Sequence, residues 1–477
     1  MPPPSVPPAL RRRAVVLVGG PLAPYSRAIR MARALAAEGY AVEIAAIAAP
    51  GLPAVEPVAS ARPGTVGDPE PAAASVGSIE IRRYRPRGPW AILGASEAAT
   101  IAQGPAGGDG RAKRARSVAG LGRIPGVARR LAGPLLDLRR WLFWPHAVRG
   151  WWATLATDLP PADLYHACGA LAIAPALAAR RRHPVGPSGS PVRVIHDAVD
   201  HAAAGNEVGR MPAPVGRIIA RREAGWARSA DAIDTVNGAL AASLTRAWRP
   251  RAPIVVVSNA PEPPDPAIVD APPDLLRRAA GLPATTRLVL HQGRIGPGLG
   301  LEEAAEAILL VPDAALVLLG FGRGFAASLA RDADPRDRGR HVTLPPRPSD
   351  ELLAWTAGAD AALVALPPIS PNQRQSTPNK FWEAIAVGTP VVAVRGLDAM
   401  TALIADHDLG AVADSLAPAD LAAAIAAVLD RAASDDGSWR HRIAATFRER
   451  FGWPAAATEY RALVRATTAV PDSRCAD

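Results

Sequence analysis

The feature that most constrains this chain is an order of segments that occurs twice. An apolar run leads into glycines, then an amphipathic stretch, then a second apolar run, and a proline-rich segment separates the two copies. In the first copy, RRRAVVLVGG sets the apolar run 14–18 before Gly19 and Gly20. YSRAIRMARALAAEGY follows, with Ile29, Met31, Ala32, Leu35 and Ala36 at helical spacing and Gly39 as its stop, and AVEIAAIA is the next apolar run. Strand, helix, strand in that order is the unit of a parallel sheet, whose strands need a crossover on one face.

The unit recurs downstream. DLYHACGALAIAPALAARRR predicts a strand at 163–167 and a helix at 171–182; PVRVIHDAVD, DAIDTVNGAL and RAPIVVVSNAP carry further strands. PEPPDPAIVDAPPD (261–274) is the strongest linker, and its prolines predict an extended, stiff connection. The second copy opens with TRLVLHQGRIGPGLGLEEAAEAILLV and continues through DAALVLLGFGRG, HVTLPPRP, SDELLAWTAGA, DAALVAL and STPNKFWEAIAVGTPVVAVRG. The expectation is an α/β protein of two Rossmann-like domains with parallel sheets facing across a cleft, where ligands bind beyond the carboxyl ends of the strands. The boundaries read as a disordered tail over 1–10, a first domain over 11–260 with loose inserts at 50–78 and 94–122, the linker, a second domain over 275–450, and a helix over 451–470 that crosses back to the first domain.

Composition narrows the function classes. The chain has 477 residues, is 49% hydrophobic and can fill more than one core. Two cysteines, Cys168 and Cys475, exclude a disulfide scaffold and a four-cysteine zinc site, and suit a reducing, cytoplasmic setting. The net charge is +10, of which segment 111–152 carries +9 together with Trp141, Trp144, Trp151 and Trp152. Arginines next to tryptophans suit an anionic membrane surface on the inner face of a bilayer; tryptophans in a core beside a solvated arginine face are the alternative. The aromatics do not interleave with the arginines, so nucleic acid is not expected as a partner. Only two lysines occur, Lys113 and Lys380.

Two motifs carry chemistry. In HQGRIGPGLGLEE, glycines including Gly293 and Gly296 at a strand-to-helix turn let backbone N–H groups approach an anion, and Arg294 adds a fixed cation suited to phosphate. In STPNKFWEAIAVGTPVV, Thr377 is placed to cap a helix, Pro378 to open it and Gly388 to end it. Lys380 then opposes the helix dipole in the first turn, a cost that a nearby phosphate offsets. Glu383, three residues on, is either its ion-pair partner or a carboxylate for the paired hydroxyls of a ribose.

These blocks, with ADAALVAL, resemble the carboxyl half of the family 4 glycosyltransferases, retaining enzymes of the GT-B fold that use nucleotide-sugar donors. The resemblance covers about residues 285–460 and continues more loosely through DLYHACGALAIAPALAARR, DAIDTVNGAL, VVVSNAP and the first strand–helix–strand unit. It implies Glu383 at the donor ribose and Arg294 and Lys380 at the diphosphate. Gln375, Ser376, Thr377, Asn379, Gly293 and Gly296 would line the donor site. His166 would lie near the transferred sugar, and Gly19, Gly20 and Asp197 on the acceptor side. It implies no cofactor and no metal; Asp332 and Asp334, an Asp-x-Asp pair, read as chance. Two positions depart from the family pattern: a basic residue is replaced by Leu299, with Lys380 or Arg374 as substitutes, and a glutamate by Gln375. A glycan or lipid-linked acceptor is expected. A non-hydrolysing nucleotide-sugar epimerase, or a catalytically weak GT-B binding protein, are the other readings.

Overall fold

The structure, a computed structural model, describes residues 12–20, 22, 26–49, 51–58, 78–85, 155–209, 211–322, 324–326, 329 and 339–469. The basic segment 111–152, most of the inserts 50–78 and 94–122, the tail 1–10, and Lys113, Asp332, Asp334 and Cys475 lie outside them.

The first lobe begins with β1 (Arg13–Val18), α1 (Ser26–Ala37) and β2 (Ala41–Ile47). A short strand β3 (Val55–Pro57) and β4 (Ile79–Tyr84) follow. Next come β5 (Leu164–Cys168), α2 (Ala170–Arg182), β6 (Arg193–Ala198), α3 (Ala213–Ser229), β7 (Ala232–Thr235), α4 (Gly238–Trp248) and β8 (Ile254–Val256). The sheet order is β3-β4-β2-β1-β5-β6-β7-β8, parallel except for β3 against β4. Sequence reading placed neither β3 nor β4: IEIRRY alternates with arginines, the pattern of a strand near a sheet edge rather than of a buried one.

The second lobe comprises β9 (Arg287–Arg294), α5 (Leu301–Ile308), β10 (Ala314–Phe321), β11 (His341–Leu344), α6 (Leu352–Ala357), β12 (Ala361–Val364), α7 (Asn379–Ala386), β13 (Val391–Val394), α8 (Asp398–His407), β14 (Gly410–Ala413), α9 (Pro418–Ser434) and α10 (Ser438–Arg450). Its six parallel strands run β11-β10-β9-β12-β13-β14. The order reverses between β9 and β12 in this lobe and between β1 and β5 in the first, and crevices open at such reversals. Strands β9, β10, β12 and β13 are apolar runs buried on both faces, as parallel strands sandwiched by helices must be.

The chain itself crosses between the lobes twice. The linker is not uniformly extended: Pro266–Asp270 forms a turn of helix, capped by Asp265 and anchored by buried Val269. Helix α11 (Trp453–Thr468) leaves the second lobe and packs on the first, burying Trp453, Tyr460 and Val464 in one core with Met31, Leu35 and Ile44. The hydroxyl of Tyr460 sits 3.1 Å from His166 Nδ1, both fully buried. Tyr460→Phe leaves that nitrogen without its partner. It is expected to cost about 1–2 kcal/mol, read as a fall of a few degrees in Tm by thermal denaturation; an unchanged Tm would show that this contact does not hold α11 in place.

Candidate functional site

The loop after β9 is built by two constraints. Ile295 and Leu299 turn inward and are buried, pinning the loop to the core at two points. Between and beyond them the chain turns through left-handed glycines, and Gly300 (φ 70°) precedes α5 where an added Cβ would lie 2.1 Å from the carbonyl oxygen of Ala365. Only glycine fits there. The position at which the family pattern has a cation is thus a core position in this chain, filled by Leu299. Arg294 stays exposed at the strand tip, in register with Phe321 of β10.

Helix α7 starts one residue later than its sequence predicts. Pro378 is the capping position, with extended backbone, and Thr377 does not cap the helix; its hydroxyl oxygen accepts a hydrogen bond from Asn237 Nδ2 of the first lobe. Gly388 (φ 74°) follows the helix end, where a Cβ would meet the carbonyl of Arg440. Lys380 is the second residue of α7, so its ammonium faces the positive end of the helix dipole. Burial and the neighbouring Arg294 charge bring its pKa down to about 8, although Glu383 opposes the shift. Lys380 Nζ lies 3.2 Å from His291 Nε2. Burial and Lys380 together push His291 down to about 3, so the ring is neutral, and its Nε2 lies between the ammonium and the Arg294 carbonyl oxygen, 3.1 Å away; the tautomer sets which of the two it bonds.

Glu383 is half-buried one turn along α7. Burial raises its carboxyl above the usual range, while a hydrogen bond from Gln292 Nε2 and the charges of Lys380 and Arg30 act in the opposite sense. Gln292 is itself oriented, because its Oε1 lies 2.8 Å from the hydroxyl of buried Thr356. His291 and Gln292 were missed by sequence reading. The signal was present as HQGR, polar residues closing a strand that runs toward the glycine loop. The structure therefore gathers Arg294, Lys380 and Glu383 at the carboxyl end of β9, two cations and one carboxylate.

The segment before α7 faces the first lobe. Gln375 ends a short helix, Pro371–Arg374; its carbonyl accepts from Asn237 Nδ2 at 2.8 Å, and its side-chain Oε1 is buried without a partner. Ser376 bonds back to the carbonyl of Gln373, and Asn379 Oδ1 accepts from Asn259 Nδ2 at 2.6 Å.

The first-lobe candidates divide. Gly19 and Gly20 end β1 half-exposed, at the reversal point of the sheet, and a Cβ on Gly19 would strike Leu171. His166 and Asp197, expected to face the sugar and the acceptor, are instead fully buried. Asp197 receives two hydrogen bonds from Arg27, at 2.8 and 2.9 Å, and Arg27 also reaches Asp234 at 3.0 Å. Burial opposes ionisation of Asp197, but the paired Arg27 and His166 hold its carboxyl well below the usual range. Burial and the Asp197 charge push Asp234 well above it. This is an ion network inside the lobe, and neither His166 nor Asp197 presents an atom to solvent. His166, Cys168 and Asp197 bring potential ligand atoms within 4.8 Å of one another. The carboxylate of that trio is already neutralised by Arg27, and burial pushes the Cys168 thiol up, so the set fits a metal ion poorly. Arg30 turns toward the lobe junction, its guanidinium 5.2 Å from the Trp453 ring centre and bonded to Asn259 Oδ1 at 2.8 Å.

The family model "Glycosyl transferases group 1" matches residues 286–431, the span that carries Arg294, Lys380 and Glu383. Residues 286–431 belong to the group 1 glycosyl transferases. Curated relatives include D-inositol 3-phosphate glycosyltransferases of Thermobispora bispora (30% identical over 204 residues, 39% of this chain and 45% of the relative) and Mycolicibacterium vanbaalenii (33% over 214 residues, 39% and 44%). The chain thus spans under half the length of the curated relatives it matches. Solved structures with the same two-lobed GT-B fold include a sucrose-phosphate synthase from Thermosynechococcus elongatus (TM-score 0.57, 17% identity, 95% of this chain and 99% of that one). Another is Anabaena HepE in complex with UDP and glucose (TM-score 0.56, 13% identity, 96% and 100%). Among the described residues, no helix is long and apolar enough to cross a membrane.

Lys380 is one of two lysines in the chain, which makes its titration directly observable. After reductive methylation, the NMR resonance that disappears in Lys380→Arg is expected to titrate at about 8 and to shift upward in Arg294→Gln, because removing a neighbouring cation favours the charged ammonium. Titration of that resonance near the ordinary lysine value in both forms would remove the influence of Arg294 on Lys380.

Proposed function

We propose that this protein is a retaining glycosyltransferase that moves a sugar from a nucleoside diphosphate to an acceptor hydroxyl. The observation that carries the reading is the apposition of Arg294 and Lys380 beside Glu383. Two like charges at a half-buried site are costly by themselves and are relieved by an anion that bridges them. A diphosphate does this, and it gains more as the bond to the sugar breaks, since negative charge then grows on the leaving oxygen. Glu383 stands where a carboxylate accepts both hydroxyls of a ribose. In the reaction, the bond from the sugar's anomeric carbon to the phosphate oxygen breaks and the acceptor oxygen bonds to the same face. The acceptor proton passes to the leaving phosphate, so no protein nucleophile is needed. Burial of His166 agrees with a scheme in which it takes no part.

For the acceptor we favour a phosphate-bearing or lipid-linked glycan. Relatives named for D-inositol 3-phosphate, and the basic, tryptophan-rich composition of 111–152, support that reading. Neutralising arginines of 111–152 is then expected to release the protein from anionic vesicles in co-sedimentation, whereas equal binding by both forms would argue for a soluble acceptor.

Glu383→Ala is expected to weaken nucleoside-diphosphate binding by about 2–3 kcal/mol, measured by calorimetry. Arg294→Ala is expected to lower turnover of the nucleotide sugar by roughly 10²–10³ with a smaller effect on affinity. If neither variant changes binding or turnover, the donor site lies elsewhere. The catalytically weak alternative is favoured by one observation, Leu299 packed into the core at the family's cation position; donor binding without turnover in the intact protein would select it.

A further inference from the structure

The loop that leads into α7 is fastened to the first lobe at three places, each at the carboxyl end of a different strand. Beyond β6, His201 N donates to Asn372 Oδ1 at 2.8 Å and Asn372 Nδ2 donates to Asp200 Oδ1 at 2.9 Å. Beyond β7, Asn237 Nδ2 donates to the carbonyl of Gln375 at 2.8 Å and to Thr377 Oγ1 at 3.2 Å. Beyond β8, Asn259 Nδ2 donates to Asn379 Oδ1. The central contact is buried, and the same asparagine also caps α4, where Asn237 Oδ1 accepts from Leu240 N at 2.8 Å.

We infer that Asn237 is a positioning residue of the transferase: its side-chain amide caps α4 on the first lobe and clamps the Gln375–Thr377 backbone of the second, so that the loop takes its working shape only when the lobes are together. The inference rests on the donor-site reading of Arg294, Lys380 and Glu383. The chemistry asks for an amide. A carboxylate caps a helix as well but cannot donate, and a serine caps but is too short to reach the other lobe. The clamp holds Gln375 by its backbone carbonyl, while its side-chain Oε1 is buried without a donor. Arg294, Lys380 and Glu383 all belong to the second lobe, so nucleotide affinity does not depend on the clamp, whereas placement of the sugar against the acceptor does.

Asn237→Asp separates the two roles, keeping the cap while replacing the donor with a carboxylate that faces the Gln375 carbonyl. With the full-length protein, the Tm is expected to stay within a few degrees. Affinity for UDP as the probe nucleotide should stay within about threefold, and kcat should fall about tenfold or more, the effect of one buried hydrogen bond. Amide hydrogen exchange in the ligand-free protein should quicken over 375–379 but not over 239–243. Asn237→Ser, which caps without adding charge, should show the same pattern with a smaller loss. Wild-type kcat and exchange in the aspartate variant would overturn the inference. So would exchange that quickens equally over 239–243, because Asn237 would then act through its cap alone. Silence of the wild type toward UDP-, GDP- and ADP-sugars would sink the transferase reading instead, and the exchange measurement would still judge the clamp.

Discussion

The proposed chemistry turns on two cations at the carboxyl end of β9, Arg294 and Lys380, whose charges act on one another. Burial first, and the Arg294 charge as well, bring the lysine down to about 8 against the pull of Glu383, and its ammonium lies 3.2 Å from a neutral histidine. The fold sustains the arrangement through packing elsewhere. β9 is buried along most of its length, and Ile295 and Leu299 fix the loop that carries Arg294. Phe381, Trp382 and Ile385 lock α7 into the same core, so Lys380 and Glu383 have a rigid base. On the proposed reading, two cations against one carboxylate leave the site favouring a polyanion, most of all in the state in which that anion carries most charge.

The first lobe solves a different electrostatic problem. Arg27, Asp197, Asp234, His166 and Tyr460 form a buried polar cluster linking α1, three strands of one sheet and the helix that returns from the other lobe. A buried charge pair contributes little net stability against apolar packing, yet removing one partner is costly. The cluster therefore specifies how α11 docks more than how tightly it does so, and it explains why an acid and a histidine at strand ends need not be catalytic.

The asparagine contacts between the lobes connect these two parts. They lie on the loop before α7 and on its first residue, and reach the ends of β6, β7 and β8, so on the proposed reading the helix that carries Lys380 and Glu383 is tied to the apposition of the lobes. Polar, hydrogen-bonded contacts of this kind can be made and broken with far less cost than an apolar interface of the same extent.

Much of this was legible in the sequence. Apolar runs followed by glycines and amphipathic stretches determined both parallel sheets, because only a crossover helix connects parallel neighbours, and STPNKFWEAIAVG marked α7, Lys380 and Glu383. The start of that helix was misjudged at Thr377, since local propensity sees a good cap while the tertiary structure has already engaged its hydroxyl with Asn237. IEIRRY went unrecognised because a strand near an edge lacks the uniform apolar run. His166 and Asp197 were expected at the site through the resemblance to the family. Only the three-dimensional packing decided otherwise, by bringing Arg27 to Asp197 and the Tyr460 hydroxyl to His166 Nδ1 from distant parts of the chain. Local pattern determines elements and the residues that share a turn; which polar groups meet a ligand and which meet each other depends on contacts between residues far apart in sequence, and those the tertiary structure alone decides.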